Sequence, residues 1–279
     1  MKASDVMSSP VYVVSPNENI AHARNLMLKH HISRLPVMDN TRLVGILTRK
    51  DIAYGLRHTE PIWRRRPIDN IPVQVLMTPD PITVIPAAGI NEIATLMINN
   101  SISGIPVVLN GSVIGMVTKS DLLKSSLIKN LALNAGDLMG DAITVSRYHS
   151  LDHIIDQMRE QSDKIVVMNN DGSIAGIITE SNLAFFEYLG PDAGLPQKDV
   201  TILRREKSAG RKRLRYVMDV SAIAEDVMTK PVITVTCDAP VSTLVTLMQE
   251  HHVSSLVVIE RGELKGIVKR DDIIREVAK

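Results

Sequence analysis

Hydrophobic residues recur with a helical period at four places along the chain. From Ile90 to Met97 they stand at positions i, i+3, i+4 and i+7, which predicts an amphipathic helix with one buried face. Three further sets share this spacing, the first of them more weakly: Ile20/Ala23/Arg24/Met27, Leu151/Ile154/Ile155/Met158 and Val241/Leu244/Val245/Met248. The pattern therefore predicts four helices of one type.

Short β-branched runs flank these helices and predict strands. One run precedes each helix: Val11–Val14, Ile82–Ile85, Ile143–Val145 and Val232–Val235. Two runs joined by a polar turn follow it, and in the first copy these are Arg34–Met38 and Leu43–Leu47. Because a last helix is predicted after the second run, each copy has the order β-α-β-β-α.

The four copies keep one frame. Each opens at a methionine: Met7, Met77, Met139 and Met228. The methionine of the helix is followed 18 residues later by a glycine in every copy, as from Met27 to Gly45. Six residues after that glycine stands a polar residue: Asp51, Asp121, Asn182 and Asp272. A frame kept four times indicates an internal repeat.

The expected fold class is α/β (α+β), with four such repeats forming two tandem pairs. A unit of about 55 residues with three strands is marginal alone. We therefore expect repeats 1 and 2 to pack sheet face against sheet face, repeats 3 and 4 to do the same, and the two pairs to assemble. The expected boundaries are 1–58, 70–130, 131–190 and 220–279, with a basic linker or insert at 191–219.

The composition predicts an aliphatic core and argues against a disulfide-bonded or membrane-spanning protein. Aromatic residues form 3% of the chain and hydrophobic residues 44%. The net charge of +1 indicates no polyanion partner for the chain as a whole. The one cysteine, Cys237, excludes an internal disulfide, and no apolar run reaches the roughly 18 residues that span a bilayer. We expect a soluble, cytoplasmic protein without a membrane partner.

Three motifs resemble those of the CBS (cystathionine-β-synthase) domain family. They are the Val-Met-Thr-x-Pro-x-x-x-Val run at Val227–Val235, the Ser-x-x-Pro-Val strands at Ser33–Val37 and Ser103–Val107, and the Gly-x-x-Thr-x-x-Asp endings at Gly45–Asp51 and Gly115–Asp121. Four copies in tandem are similar to archaeal four-CBS proteins and to the γ subunits of AMP-activated protein kinases. The resemblance implies paired repeats, called Bateman modules, which variously bind AMP, ADP, ATP, S-adenosylmethionine or nothing.

The Thr-x-x-Asp endings admit two interpretations. Thr48 with Asp51, and Thr118 with Asp121, match a helix capping box, in which the hydroxyl and the acid satisfy early backbone N–H groups. The alternative is a ligand contact. Repeat 4 favours that alternative, because Lys269 replaces the threonine and yet Asp272 is kept. A carboxylate can accept both hydroxyls of a ribose.

The family resemblance implies a role for each candidate residue. It assigns the ribose to Asp51, Asp121 and Asp272, and the phosphate to Thr48 and Thr118. Asn182 loses the charged acceptor, so we expect the cleft of repeat 3 to be empty or altered. The resemblance also implies an adenine slot lined by Val14, Pro36, Val84, Ile105 and Pro106, with core packing an equal alternative. The cations nearest the predicted phosphate positions are Arg34, Lys119 and Lys269.

No catalytic or metal-binding pattern stands out. Walker, dinucleotide and nucleophile-elbow motifs are absent from the sequence, and no Cys/His spacing matches a zinc site. The doublets His30-His31 and His251-His252 fit helix C-termini better than a metal site. We expect a regulatory sensor of adenine nucleotides that is not an enzyme, requires no cofactor, and signals by a conformational change to an unidentified protein partner, with a homodimer also open.

Two rival functions stay open at this point. One is an interaction scaffold that binds no ligand. The other is nucleic-acid regulation through the basic insert at 202–216, which contains seven Lys and Arg residues and only one acidic residue, Glu206. Few aromatic residues stand among these charges, so a base-stacking surface and nucleic-acid binding are the less favoured interpretation.

Overall fold

The computed structural model describes residues 1–55, 70–125, 128, 131–185 and 222–278. The basic insert at 202–216 and the run Arg64–Arg66 lie outside these ranges. The chain divides into two compact units, which are described separately. Unit 1 comprises Met1–Ala142 with Val232–Lys279, and unit 2 comprises Ile143–Pro231.

Every repeat has the same body, consisting of a first helix, a strand hairpin and a last helix. The first helices, at the predicted places, are Ile20–Lys29, Ile90–Asn99, Leu151–Glu160 and Val241–Glu250. The hairpins are Arg34–Asp39 with Arg42–Thr48, Gly104–Leu109 with Ser112–Thr118, Lys164–Met168 with Ile174–Thr179, and Ser255–Glu260 with Glu263–Lys269. The last helices are Arg49–Gly55, Lys119–Leu122, Glu180–Phe185 and Arg270–Ala278. The mixed α/β class predicted from the sequence is confirmed.

An opening segment precedes each body. It contains a single turn of helix followed by the methionine of the frame. The turns are Ala3–Val6, a 3-10 turn at Val73–Val75, Ala135–Leu138 and Ala224–Val227. These turns were not predicted from the sequence, because four residues are too few to show a periodicity.

The predicted first strands are only partly correct. In repeats 3 and 4 they are the short strands Thr144–Ser146 and Thr234–Val235. In repeats 1 and 2 the runs reduce to single parallel bridges, Val14 to Val37 and Val84 to Val107. The residue that follows in repeat 3 is Arg147, whose N–H extends the ladder to the oxygen of Met168 at 3.1 Å. A proline stands at the equivalent place in repeats 1 and 2, and it has no N–H to donate.

The opening segment of each repeat joins the hairpin of its partner repeat. Thr78–Pro79 of repeat 2 pairs antiparallel with the strand Arg42–Thr48 of repeat 1. The equivalent bridges are Ser8 to Met116, Gly140 to Ile267 and Thr229 to Ile177. Repeats 1 and 2 therefore exchange their opening segments, and within each unit the hairpins of repeats 3 and 4 likewise receive the opening segment of the other repeat, which was not anticipated from the sequence.

The exchange explains why methionine and glycine keep a fixed frame. The Met77 side chain lies on Gly45, so closely that a Cβ atom there would stand 2.6 Å from the sulfur and 3.0 Å from the oxygen of Thr78. Met7 lies as closely on Gly115 and Met228 on Gly176, whereas a Cβ atom at Gly266 would stand 2.6 Å from the oxygen of Gly140 and 3.2 Å from the Met139 sulfur. A side chain at any of these glycines would therefore collide with the opening segment of another repeat.

Within unit 1, the helices of repeats 2 and 4 share one hydrophobic core. Helix Ile90–Asn99 packs against helix Arg270–Ala278. The buried residues of this core include Ile93, Met97, Leu244, Met248 and Ile273. The contact brings the last helices of the two repeats together, and with them the polar residues at their starts.

Candidate functional site

The predicted site of repeat 1 is a reciprocal cap at the start of helix Arg49–Gly55. The backbone N and the Oγ1 of Thr48 each donate to Oδ2 of Asp51 at 2.7 Å, and the Asp51 N–H donates back to Oγ1 at 3.3 Å. Burial raises the pKa of Asp51, although the bonds from Thr48 oppose that shift. Among the described residues, no donor meets Oδ1. The second carboxylate oxygen therefore remains available.

Repeat 2 has the same arrangement around Asp121. Thr118 donates to Oδ2 of Asp121 from its N–H at 3.0 Å and from Oγ1 at 2.6 Å. The other oxygen, Oδ1, accepts from Nζ of Lys124 at 3.0 Å. The Asp121 side chain is almost fully buried, whereas Lys124 is exposed. An exposed lysine is easily displaced, so this carboxylate is held on one side and loosely covered on the other.

Repeat 4 keeps the acid cap without the hydroxyl. The N–H of Lys269 donates to Oδ2 of Asp272 at 2.8 Å, and Arg275 approaches Oδ1 at 3.4 Å. Burial raises the pKa of Asp272, and the Lys269 N–H opposes that shift most strongly. In all three acidic repeats one oxygen caps the helix and the other does not. The capping interpretation is thus present in the geometry, and it leaves the ligand interpretation open.

Repeat 3 departs from this arrangement. The Oδ1 of Asn182 accepts from the N–H and the hydroxyl of Thr179 at 2.9 and 2.8 Å. Its Nδ2 donates to the oxygen of Val227 at 2.8 Å and to Oγ1 of Thr229 at 2.9 Å. These four bonds leave the Asn182 side chain without a free polar group, and an empty or altered cleft in repeat 3 stays a prediction.

The sites of repeats 2 and 4 meet in unit 1. The Nζ of Lys119 donates to Oδ2 of Asp271 at 2.6 Å, and Arg270 donates to Oγ of Ser120 at 2.7 Å. Burial lowers the pKa of Arg270, while the charges of Asp121 and Asp271 act in the opposite direction. Lys119, predicted as a phosphate contact, is therefore held by an acid of the other repeat. Neither Asp271 nor Ser120 was singled out from the sequence, because their role depends on a contact between distant repeats.

The residues predicted to line the adenine slot lie at the bridges between the first run and the hairpin. The N–H of Val14 donates to the oxygen of Pro36, and the N–H of Val84 donates to the oxygen of Pro106, both at 3.1 Å. All four side chains are buried, and Ile105 is fully buried in the core. Val14 thus lies beside Pro36 in repeat 1, and Val84 lies beside Pro106 in repeat 2. The Ile105 side chain is part of the core.

Arg34 lies between repeats 1 and 2. Its Nη2 donates to Oγ of Ser103 at 2.7 Å, and its side chain lies against Gly104, where a Cβ atom would stand 2.6 Å from the Arg34 Cδ. Gly104 occupies in repeat 2 the place of Arg34 in repeat 1. A single arginine side chain therefore extends from repeat 1 to repeat 2, and the absence of a side chain at Gly104 leaves space for it.

The histidine doublets end the first helices of repeats 1 and 4. The N–H groups of His30 and His251 bond to Leu26 and Leu247 in the manner of helix C-caps. The His30 ring stacks on Tyr12 with centroids 3.8 Å apart. In the part of the chain that the structure describes, no group of three or more His, Cys, Asp or Glu residues is placed to hold a metal ion.

The family profile of the CBS domain matches four segments of the chain: 3–58, 71–127, 135–187 and 224–279. Together they cover far more than half of its length. Across the described residues, no helix is both long and apolar enough to cross a membrane.

Similar proteins include enzymes and proteins without an assigned activity. An inosine-5'-monophosphate dehydrogenase of Korarchaeum cryptofilum is 35% identical over 43% of this chain, and the match covers 23% of that enzyme. Protein MJ1225 of Methanocaldococcus jannaschii is 31% identical over 127 residues, which are 43% of this chain and 45% of that protein. The chain thus matches less than half the length of these two curated relatives.

The crystal structure of MJ1225 superimposes on nearly the whole chain. The TM-score is 0.79 at 21% identity, with 99% of each chain covered. That protein is described as a suggested archaeal homologue of the γ subunit of AMP-activated protein kinase. At this level of identity the likeness shows a common fold with four repeats.

Proposed function

The chain belongs to the CBS domain family, and we propose that it is a regulatory protein that binds an adenine nucleotide in clefts between paired repeats. One observation carries this proposal. In repeats 1, 2 and 4 a buried or half-buried aspartate stands in the first turn of the last helix, and only one of its two oxygens is used by the helix cap.

The remaining oxygen suits a ribose. An ionised carboxylate accepts strong hydrogen bonds from neutral hydroxyls, and a ribose offers two neighbouring ones. Burial raises the pKa of Asp51 and Asp272, so their ionised forms are poorly solvated. Ligand hydroxyls would replace the missing solvation, which favours binding at these positions.

The ligand class is AMP, ADP, ATP or S-adenosylmethionine, all of which share the adenosine group. Arg34 lies between repeats 1 and 2 and Lys119 between repeats 2 and 4, and these cations favour a ligand with phosphates over the cationic sulfonium ligand. The inferred ligand is a regulator, and no cofactor or catalytic residue is part of the proposal.

Binding would be passed to a protein partner through the paired repeats. Each opening segment forms part of the partner repeat, so a ligand that favours one arrangement of a cleft acts on both repeats of the pair. A ligand shifts such an equilibrium only by its difference in affinity for the two arrangements. The likeness to MJ1225, itself described as a suggested homologue of the γ subunit, supports a role as a regulatory subunit and not as an enzyme.

The direct test identifies what the purified protein carries. Native mass spectrometry of the full chain gives the mass and number of retained ligands, and chromatography after denaturation identifies them. We expect an adenosine compound. A protein that carries none, and that takes up none of the four ligands when they are added, would instead be an interaction scaffold.

A further inference from the structure

We propose that Asn182 is a clamp that fastens the opening segment of repeat 4 to repeat 3, and that it thereby excludes a nucleotide from repeat 3. The clamp itself rests only on contacts within unit 2. Its consequence for nucleotide binding also rests on the function proposed above.

The orientation of the Asn182 amide is fixed by its partners. The Thr179 N–H can only donate and the Val227 oxygen can only accept, so Oδ1 must face the first and Nδ2 the second. The two Nδ2 hydrogens then go to Val227 and to the hydroxyl of Thr229. An aspartate at this place would set a carboxylate oxygen 2.8 Å from the Val227 oxygen, where it cannot donate.

The acidic repeats lack this connection. Within the described ranges, Asp51 and Asp121 make no hydrogen bond to the opening segment of the partner repeat, although Thr78 and Ser8 stand where Thr229 stands in repeat 4. The difference follows from chemistry, since an ionised carboxylate has no hydrogen to offer. One amide in place of one acid thus changes an open position into a link between repeats.

The clamp also uses the position that a ligand would need. Asn182 is 7% exposed, and its two hydrogens and its oxygen are all engaged. A ribose hydroxyl would have to break at least one of these bonds and leave a buried polar group unpaired, which is unfavourable. Repeat 3 therefore keeps one arrangement and binds no nucleotide. Only the acidic repeats change their arrangement when a ligand binds.

The test compares two variants that add the same charge to repeat 3. Asn182→Asp removes both donors of the clamp, whereas Asn170→Asp changes an exposed turn residue. Hydrogen exchange of the full chain is followed at residues 224–229, which include the Thr229 N–H that bonds to Ile177 at 2.8 Å. We expect exchange there to become at least about tenfold faster in Asn182→Asp and to stay unchanged in Asn170→Asp. Equal exchange in the two variants would overturn the clamp.

A milder variant covers the case in which Asn182→Asp does not fold. Thr229→Val removes one acceptor and keeps the side-chain shape, so exchange at residues 224–229 should rise by about threefold. No change in that variant would count against the clamp as well.

The exclusion of a nucleotide from repeat 3 is tested in a separate experiment, with AMP as the probe. Exchange of the wild-type chain is measured with and without AMP at residues 48–51, 118–121 and 179–182. Protection at the first two and none at the third is expected. Protection at 179–182 would contradict the exclusion, whereas a lack of protection at all three would count against AMP as the ligand of the proposed function and leave the clamp result intact.

Discussion

The Nζ of Lys119 in repeat 2 donates to Oδ2 of Asp271 in repeat 4 over 2.6 Å. The two side chains are unequally buried, since that of Lys119 is 8% exposed and that of Asp271 is 44% exposed. The lysine directly follows Thr118, whose hydroxyl bonds to Asp121. One ion pair therefore links a candidate nucleotide site to the neighbouring repeat.

Removing either partner of this pair should have unequal effects on stability. Asp271→Asn leaves a buried ammonium group without its carboxylate, and we expect it to cost about 1–3 kcal/mol. Lys119→Met leaves only a half-exposed carboxylate and should cost less than about 1 kcal/mol. Urea unfolding of both variants measures the difference, and a larger loss in Lys119→Met would show that the pair is not organised as described.

The contact between glycine and methionine predicts a steric effect. Gly45→Ala places a Cβ atom 2.6 Å from the Met77 sulfur and 3.0 Å from the Thr78 oxygen. Because a backbone atom is among the neighbours, we expect a loss of about 1–3 kcal/mol in the free energy of unfolding. Gly140→Ala is the control, since nothing lies within 4 Å of its added Cβ. Similar unfolding midpoints for the two variants would contradict the tight fit.

Asp121→Asn should separate the capping role from the ligand role. An amide oxygen can accept both bonds from Thr118, as the oxygen of Asn182 does from Thr179 in repeat 3. Stability should therefore change by less than about 1 kcal/mol. The loss of the charged acceptor should weaken AMP binding at this repeat by about tenfold, which calorimetry can measure. Unchanged affinity would exclude Asp121 as the ribose contact.

The pKa of Asp51 leads to a prediction about pH. Burial raises that pKa in the folded protein, so the folded state takes up this proton more readily than the unfolded state. Asp51 therefore disfavours folding at neutral pH, and this effect disappears as the pH falls through the raised pKa. We expect Asp51→Asn to be slightly more stable than the wild type at pH 7, by less than about 1 kcal/mol, and to lose this advantage on acidification.

Asp5 provides a control of opposite sign. The Lys2 N–H bonds to its carboxylate and lowers the pKa of Asp5, so the ionised form stabilises the folded state above the ordinary pKa. Asp5→Asn should therefore be less stable than the wild type at pH 7, and the difference should shrink as the pH falls. If both variants shifted stability in the same direction, the assignment of burial as the cause for Asp51 would be wrong.

The sequence predicted the parts of the fold that depend on local pattern. The helical period predicted helices such as Ile90–Asn99, and the glycine frame predicted that Asp51, Asp121 and Asp272 follow the hairpins, where they lie in the first turn of the last helix. These features were accessible because the spacing of residues along one chain determines which side chains share a face.

What the sequence could not reveal depends on contacts between repeats. The position of Met7 in the repeat frame does not show that its side chain lies on Gly115 of another repeat. Likewise, Asn182 differs from an aspartate in the sequence only by a lost charge, whereas in the structure its two hydrogens join repeat 3 to repeat 4. The partner of a polar group is set by tertiary structure, which the hydrophobic period does not encode.

Nucleotide binding by this protein is tested most directly by titration calorimetry of the full chain with AMP, ADP, ATP and S-adenosylmethionine. We expect at least one of them to bind with a Kd below about 1 mM, and Asp121→Asn to weaken that binding. If none of the four binds in that range to protein freed of any retained ligand, the proposal of an adenine-nucleotide regulator is contradicted.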